Sequence, residues 1–134
     1  MVAKKKLDYY KKYDSNTPLF KQLFRANLFS TSAVVCKRCL LEDVGGFDEG
    51  LMSAQDYELW LRLSPKIIPH FLPECLGEYI HREGNIASTS INRRITNELK
   101  IAFRYRDRAS KKDLFLRITR ILLSFGLQIV RRLL

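Results

Sequence analysis

Apolar residues recur at helical spacing in the first half of the chain. They repeat over about residues 18–26, where Pro18 suits the first position of a helix. A second segment, 38–44, stops at Gly45 and Gly46, because glycine adopts the left-handed conformation of a helix C-terminus at little cost. Both segments predict short helices.

A third helix is predicted to open at Ser53 and to end before Pro65. Ser53 is the expected N-cap, Asp56 falls at the third helical position, and the apolar residues after it pack inward. This helix carries the most interesting side chains of the sequence.

Short runs of apolar and β-branched residues predict strands between these helices. Residues 32–36 (SAVVC) indicate a buried strand, and 67–72 and 76–82 indicate two more. Pro69 makes the second of the three an edge strand, because proline cannot donate to a ladder. The expected fold class is therefore α/β, with a short mixed sheet and flanking helices.

The last third of the chain predicts amphipathic helices. Ile91, Ile95, Leu99 and Phe103 share one helical face. From Leu114 onward a narrow polar stripe interrupts a wide apolar face; the stripe consists of Asp113, Arg117, Arg120, Ser124, Gln128 and Arg131. The longest uncharged stretch is shorter than the roughly 20 apolar residues that a spanning helix needs. The pattern favours a helix at a membrane interface, or equally one packed on the protein's own core or on a partner.

Charge separates the two ends of the chain. The net charge is +10, and residues 1–90 hold 12 Lys/Arg against 11 Asp/Glu, whereas residues 91–134 hold 12 against 3. We therefore divide the chain into a domain over 1–90 and a basic helical tail over 91–134. The tail predicts an anionic partner. An anionic membrane surface is expected and nucleic acid is not, since no nucleic-acid docking motif is present.

Three cysteines and the absence of an apolar leader predict a cytoplasmic protein. The Cys36-x-x-Cys39 pair leaves open a zinc site completed by Cys75, His70 or His81. The alternative is that these cysteines are small apolar side chains between two elements. No metal site is assigned.

Asp56 is the strongest candidate for chemistry. A carboxylate in the first turn of a helix faces unpaired N–H groups and the positive end of the helix dipole, which favour its ionised form. Beside the rings of Tyr57 and Trp60, it is suited to accept a proton from a sugar hydroxyl. A Ser-x-x-Asp arrangement also caps helices without any catalytic purpose, so the spacing alone leaves that role open.

Four ordered blocks resemble the second half of family 2 glycosyltransferases of the GT-A type. They are 26–35 (ANLFSTSAVV), 40–49 (LLEDVGGFDE), 55–63 (QDYELWLRL) and 79–88 (YIHREGNIAS). The resemblance implies a partial GT-A, Rossmann-like domain followed by the amphipathic tail. It implies an inverting transfer from a nucleotide-sugar to a cell-surface glycan or lipid-linked acceptor.

The resemblance also assigns roles to residues. It makes Asp56 the base that deprotonates the acceptor hydroxyl, and Asp48, Tyr57 and Trp60 are the expected acceptor-binding residues. Arg82, with His81 beside it, is expected at the donor diphosphate, where a guanidinium fork binds phosphate oxygens. The Gln-x-x-Arg-Trp signature of processive synthases is missing, which favours a single addition.

The metal-binding Asp-x-Asp motif of the family does not occur in the 134 residues. We therefore expect Mg²⁺ or Mn²⁺ only with a donor-binding half that the sequence lacks, and an inactive chain without it. We also expect oligomers or a complementary chain, and a location on the inner face of the cell membrane. The alternative is a non-catalytic module that binds a membrane or a partner.

Overall fold

A computed structural model describes residues 12–72, 74 and 91–133, without the side chains of residues 91 and 128–133. About 60% of it is helical, and no strand occurs within these residues. The five α helices are α1 Leu19–Arg25, α2 Arg38–Asp43, α3 Gln55–Leu63, α4 Ile91–Arg104 and α5 Lys111–Leu133. Two 3-10 turns, Thr31–Ala33 and Arg106–Arg108, lie between them. The predicted α/β fold with its mixed sheet is therefore wrong for the described part of the chain.

Two of the three predicted strands, 32–36 and 67–72, are absent, and for the first the physical reason is clear. Thr31–Ala33 forms a 3-10 turn, and Val34 after it is extended but has no neighbouring strand in the described part. Val35 is fully exposed, so β-branched residues here prefer an extended backbone without burying the side chains that a sheet would cover. Residues 67–72 have no regular secondary structure, and 76–82 lie outside the described residues.

Helix α3 forms the centre of the core. Leu59 and Leu63 lie on one side of the helix and Leu61 on the other, and all three are fully buried. A helix that is apolar on several sides is stable only when other elements surround it. Helix α1 covers one side with Leu23 and Phe24, which are also fully buried.

Helices α4 and α5 pack on the rest of the chain. Ile101 belongs to the same core as α1 and α3, and Arg25 of α1 lies 2.5 Å from the carboxylate of Asp113 of α5. The buried side of α4 includes Asn97, which donates to the Ser53 hydroxyl, whereas Phe103 is half-exposed. The apolar face predicted for α4 is therefore rotated, because this polar contact holds Asn97 inward. The division of the chain between residues 90 and 91 stays a prediction.

Helix α5 packs on the protein with its polar side, whereas an ordinary surface helix packs with its apolar side. Asp113 and Arg117, which belong to its polar stripe, are buried against the protein. Leu114 packs against the core, while Leu116, Leu122, Leu123 and Leu127 face outward. No helix within the described residues is both long and apolar enough to cross a membrane.

Candidate functional site

The start of α3 sets the position of Asp56. The helix begins at Gln55, so Asp56 is its second residue rather than its third. Ser53 does not cap the helix, and this prediction is wrong because the Ser53 hydroxyl and carbonyl accept hydrogen bonds from Asn97 instead. Ala54 occupies the cap position with φ 60°, the left-handed region that residues with a Cβ rarely adopt. Strain of this kind clusters at functional sites.

The Asp56 carboxylate is half-buried and accepts two hydrogen bonds from the protein. The Thr31 hydroxyl donates to Oδ2 over 2.6 Å, and the Tyr57 backbone N–H donates to Oδ1 over 2.8 Å. An ionised carboxylate has about four acceptor positions. Asp56 therefore keeps capacity for another hydroxyl besides that of Thr31.

Asp56 lies on the wall of an open cavity of about 1070 Å³. The wall is built from the loop after α1, the loop between α2 and α3, the start of α3, and the facing sides of α4 and α5. Besides Asp56, its charged members among the described residues are Asp48, Glu49, Glu98, Arg93, Arg94, Arg117 and Arg120. The volume is similar to that of small-molecule binding sites in proteins.

A network of charges fixes the α4–α5 side of the cavity. Glu98 of α4 accepts from Arg94 over 3.0 Å and from Arg117 of α5 over 3.1 Å. The Arg117 guanidinium also lies over the Tyr57 ring, 4.5 Å from its centroid. The buried Arg117 Nε–H has no hydrogen-bond partner in the described structure. This buried cation is thus held beside the cavity with one donor unused.

The loop that carries Phe47 and Asp48 is held by its glycines and by an arginine. Gly45 and Gly46 have φ values of 81° and 69°, so they end α2 in the left-handed conformation, as predicted. The Arg62 guanidinium of α3 donates to the carbonyls of Val44 and Gly46. The turn is therefore anchored to the central helix.

Asp48 borders the cavity but its carboxylate is already paired. Arg104 Nη1 lies 2.7 Å from Oδ2, and the Gly50 N–H donates to Oδ1 over 2.9 Å. These contacts, Arg104 first, hold the pKa of Asp48 below its usual range. Its main contacts hold the loop to α4, and an acceptor would have to share them.

The two aromatic residues predicted to bind an acceptor lie in different places. Tyr57 lines the cavity, donates its hydroxyl to the Phe24 carbonyl over 3.3 Å, and is buried, which raises its pKa to about 12. Trp60 is buried in the core, where its ring meets Phe29 edge-on at 6.0 Å, and it does not line the cavity. The structure gives Trp60 contacts typical of a core residue.

Sequence patterns alone did not single out several cavity residues. Phe47 lines the cavity and about half of it is exposed, which makes it the most exposed aromatic residue of the cavity wall. The arginines of α4 and α5 were interpreted only as a basic tail. The polar stripe on α5 was the available signal, because Arg117 and Arg120 belong to it. Arg82 and His81, the predicted diphosphate-binding residues, lie outside the described residues.

Metal binding has no support within the described ranges. No group of three or more His, Cys, Asp or Glu side chains there could hold an ion, and Cys36 and Cys39 are free thiols. Cys75 and His81, two of the side chains considered for zinc, lie outside those ranges. The expectation of Mg²⁺ or Mn²⁺ with a donor-binding half stays a prediction.

The site is thus a carboxylate at a helix start, facing a polar and partly aromatic cavity with four arginines on its wall. No known protein family, curated protein or solved structure matches this chain.

Proposed function

We propose that this chain supplies the acceptor side of an inverting glycosyl-transfer site, with Asp56 as the base. The observation that carries the proposal is the Asp56 carboxylate on the wall of the cavity, with the Thr31 hydroxyl 2.6 Å from Oδ2. The order of the four sequence blocks, all similar to family 2 glycosyltransferases, supports the same assignment. Because function belongs to a site and not to a fold, the absence of a sheet in the described part leaves this proposal open to test.

The reaction needs a single base. Asp56 accepts the proton of the acceptor hydroxyl, the oxygen attacks the anomeric carbon of the donor sugar, and the nucleoside diphosphate leaves from the opposite face. One carboxylate suffices, in contrast to glycoside hydrolysis, which uses two across the scissile bond. The second hydrogen bond, from the Tyr57 backbone, holds the carboxylate in place.

The walls of the cavity suit a charged reaction of this kind. Arg93 and Arg120 bring positive charge to the cavity wall, and Arg117 holds a buried guanidinium against Tyr57. Cations at this position would favour a substrate that carries phosphate groups. Half-exposed Phe47 offers an apolar face on which a sugar ring could rest.

The proposal requires a donor-binding segment, whether of the same polypeptide or of another. A divalent cation held by that segment would neutralise the diphosphate as it leaves. The residues of this chain bind and orient the acceptor and take its proton.

A reconstitution assay tests the proposal. The chain is co-expressed with a polypeptide that carries an Asp-x-Asp donor-binding half, such as one encoded beside it, and transfer from radiolabelled nucleotide-sugars to membrane extracts is measured. We expect transfer only when both are present, with inversion at the anomeric carbon. Transfer by the donor half alone at the full rate, or retention of configuration, would contradict the proposal.

A non-catalytic binding module is the second candidate, and the outward leucines of α5 favour it. It predicts that the chain associates with its partner or membrane equally well when Asp56 is replaced. It also predicts no transfer in the reconstitution.

A further inference from the structure

Helix α5 exposes an apolar face that the described structure leaves uncovered. Five large apolar side chains point outward with 47–69% of their surface accessible: Phe115, Leu116, Leu122, Leu123 and Leu127. At 3.6 residues per turn they fall on one half of the helix surface, together with Gly126. The opposite half, with Asp113, Arg117 and Ile121, is buried against the protein.

Specific polar contacts hold α5 with its apolar side outward. Asp113 pairs with Arg25 at 2.5 Å and accepts from the Ser110 hydroxyl at 2.7 Å. Arg117 pairs with Glu98, and Arg120 donates to the Arg25 carbonyl over 3.0 Å. Rotating the helix to bury its leucines would break all of these contacts. The apolar face is therefore fixed in its outward position.

Positive charge lies at the N-terminal end of the apolar face. Lys111 and Lys112 are exposed at the N-terminal end of α5, just after Arg106 and Arg108 in the preceding turn. Asp107 and Asp113 are the acidic residues over 106–133, and Asp113 is buried in its ion pair. An apolar strip with exposed lysines at its N-terminal end matches the acyl region and the phosphates of an anionic lipid surface.

We propose that the outward face of α5 docks on the surface of an anionic bilayer, with the helix lying parallel to the membrane plane. Its leucines and Phe115 enter the boundary between head groups and acyl chains, and the lysines of its first turn meet lipid phosphates. A second copy of this chain fits less well, because apposing two such faces would bring the same basic ends together when the helices run parallel. The docking does not depend on the proposed transfer, since Asp56 takes no part in it.

Vesicle co-sedimentation of the full chain tests the docking. Vesicles of neutral phosphatidylcholine are compared with vesicles in which about one quarter of the lipid is phosphatidylglycerol. We expect at least about tenfold stronger binding to the anionic vesicles in low salt, and most of that advantage lost at about 0.5 M salt. No sugar donor or acceptor is present, so failure here is distinct from failure of the transfer proposal.

Two double variants test whether this face of α5 is the one that binds vesicles. The double variant Leu123→Glu with Leu127→Glu should lower vesicle binding at least about tenfold. Val35→Glu with Ile68→Glu, at exposed apolar positions outside α5, is the matched control and should bind like the parent chain. Circular dichroism checks that both double variants keep the helix content of the parent.

A third variant measures directly whether this face inserts among the acyl chains. In Phe115→Trp, the new indole should be quenched by brominated acyl chains in anionic vesicles, which the buried Trp60 of the parent chain would resist. Equal vesicle binding by the α5 and control variants would overturn the proposal. An absence of quenching would also overturn it. If the chain does not bind vesicles but forms oligomers in light scattering, and Leu123→Glu dissociates them, the face belongs to a second copy of the chain.

Discussion

The guanidinium of Arg104 lies 2.7 Å from the carboxylate of Asp48, although 56 residues separate them in sequence. The same Arg104 Nη1 is 3.1 Å from Glu58 Oε1 on the central helix. Helix α4 is thereby tied both to the cavity loop and to α3. Glu58, only 1% exposed, also accepts from the Tyr105 hydroxyl at 2.7 Å and from Arg62.

Removing Glu58 should therefore destabilise the protein strongly. Glu58→Ala leaves two arginines without their buried anion, and we expect the free energy of unfolding to fall by about 3–5 kcal/mol. Urea unfolding measures the change. Glu42→Ala is the control, because Glu42 is exposed and pairs with Arg38 one helical turn away. Its cost should stay below about 1 kcal/mol, and equal losses in both variants would contradict the network.

Acid should lower the free energy of unfolding, because the pKa values of Asp113 and Asp48 are lowered in the folded protein. Burial alone would raise the pKa of Asp113, but the hydrogen bonds from Ser110 and Arg25 outweigh it and the pKa is lowered. A carboxyl group whose folded pKa is lowered stabilises the fold above its unfolded pKa of about 4, and this contribution is lost as the pH falls through the folded value. We expect the urea midpoint to fall below about pH 4.

In the variant Asp113→Asn, the urea midpoint should fall less between neutral pH and acid than it does in the parent chain. Asp107→Asn, at an exposed position with its side chain 88% accessible, is the control and should leave the dependence unchanged. A midpoint that falls with the same slope in parent and Asp113→Asn chains would show that the ion pair to Arg25 contributes nothing in acid.

The left-handed backbone at Ala54 predicts a stabilising substitution. Glycine pays little for φ 60°, so Ala54→Gly should raise the free energy of unfolding by about 0.5–1 kcal/mol. Gly46→Ala is the converse test, since φ is 69° there and nothing lies within 4 Å of the added Cβ. It should cost about 1 kcal/mol through the backbone alone. A loss of stability in Ala54→Gly would mean that the methyl group contributes packing that outweighs the strain.

Local signals in the sequence predicted the helix boundaries near glycine well. The pair Gly45-Gly46 ends α2 because only the left-handed conformation satisfies the last carbonyls there. The cap predicted at Ser53 was wrong because Ser53 accepts from Asn97 instead, although the same Ser-x-x-Asp spacing at Ser110 and Asp113 does form a cap. There the serine does cap the helix, with its hydroxyl accepting the Asp113 N–H over 3.1 Å. Spacing alone does not show which of the two serines accepts a hydrogen bond from a residue far away in the sequence, as Ser53 does from Asn97.

Tertiary contacts decided what the sequence could not. The period of α5 correctly divided its residues into two faces, but which face lies inside depends on Arg25 and Glu98, far away in the chain. The strand predicted at 32–36 rested on β-branched residues, whose preference for extended backbone forms a sheet only where another strand pairs with them. Trp60 was expected at the site, but its position on α3 directs it into the core.

Phe47 should contribute to acceptor binding if the cavity holds a sugar. Phe47→Ala removes the half-exposed ring, and we expect the acceptor KM to rise about 2–10-fold with little change in kcat. Phe103→Ala is the control, because Phe103 is equally exposed but does not line the cavity. An unchanged KM in Phe47→Ala would remove this ring from the acceptor site.

The most direct measurement is the kcat of the reconstituted transferase with Asp56→Asn. Asparagine keeps the size of the side chain but cannot take up the proton, so kcat should fall about 10²–10⁴-fold while circular dichroism stays that of the parent. Asp43→Asn, on α2 away from the cavity, should keep the parent rate. A kcat of Asp56→Asn equal to that of the parent would contradict the role of Asp56 as the base.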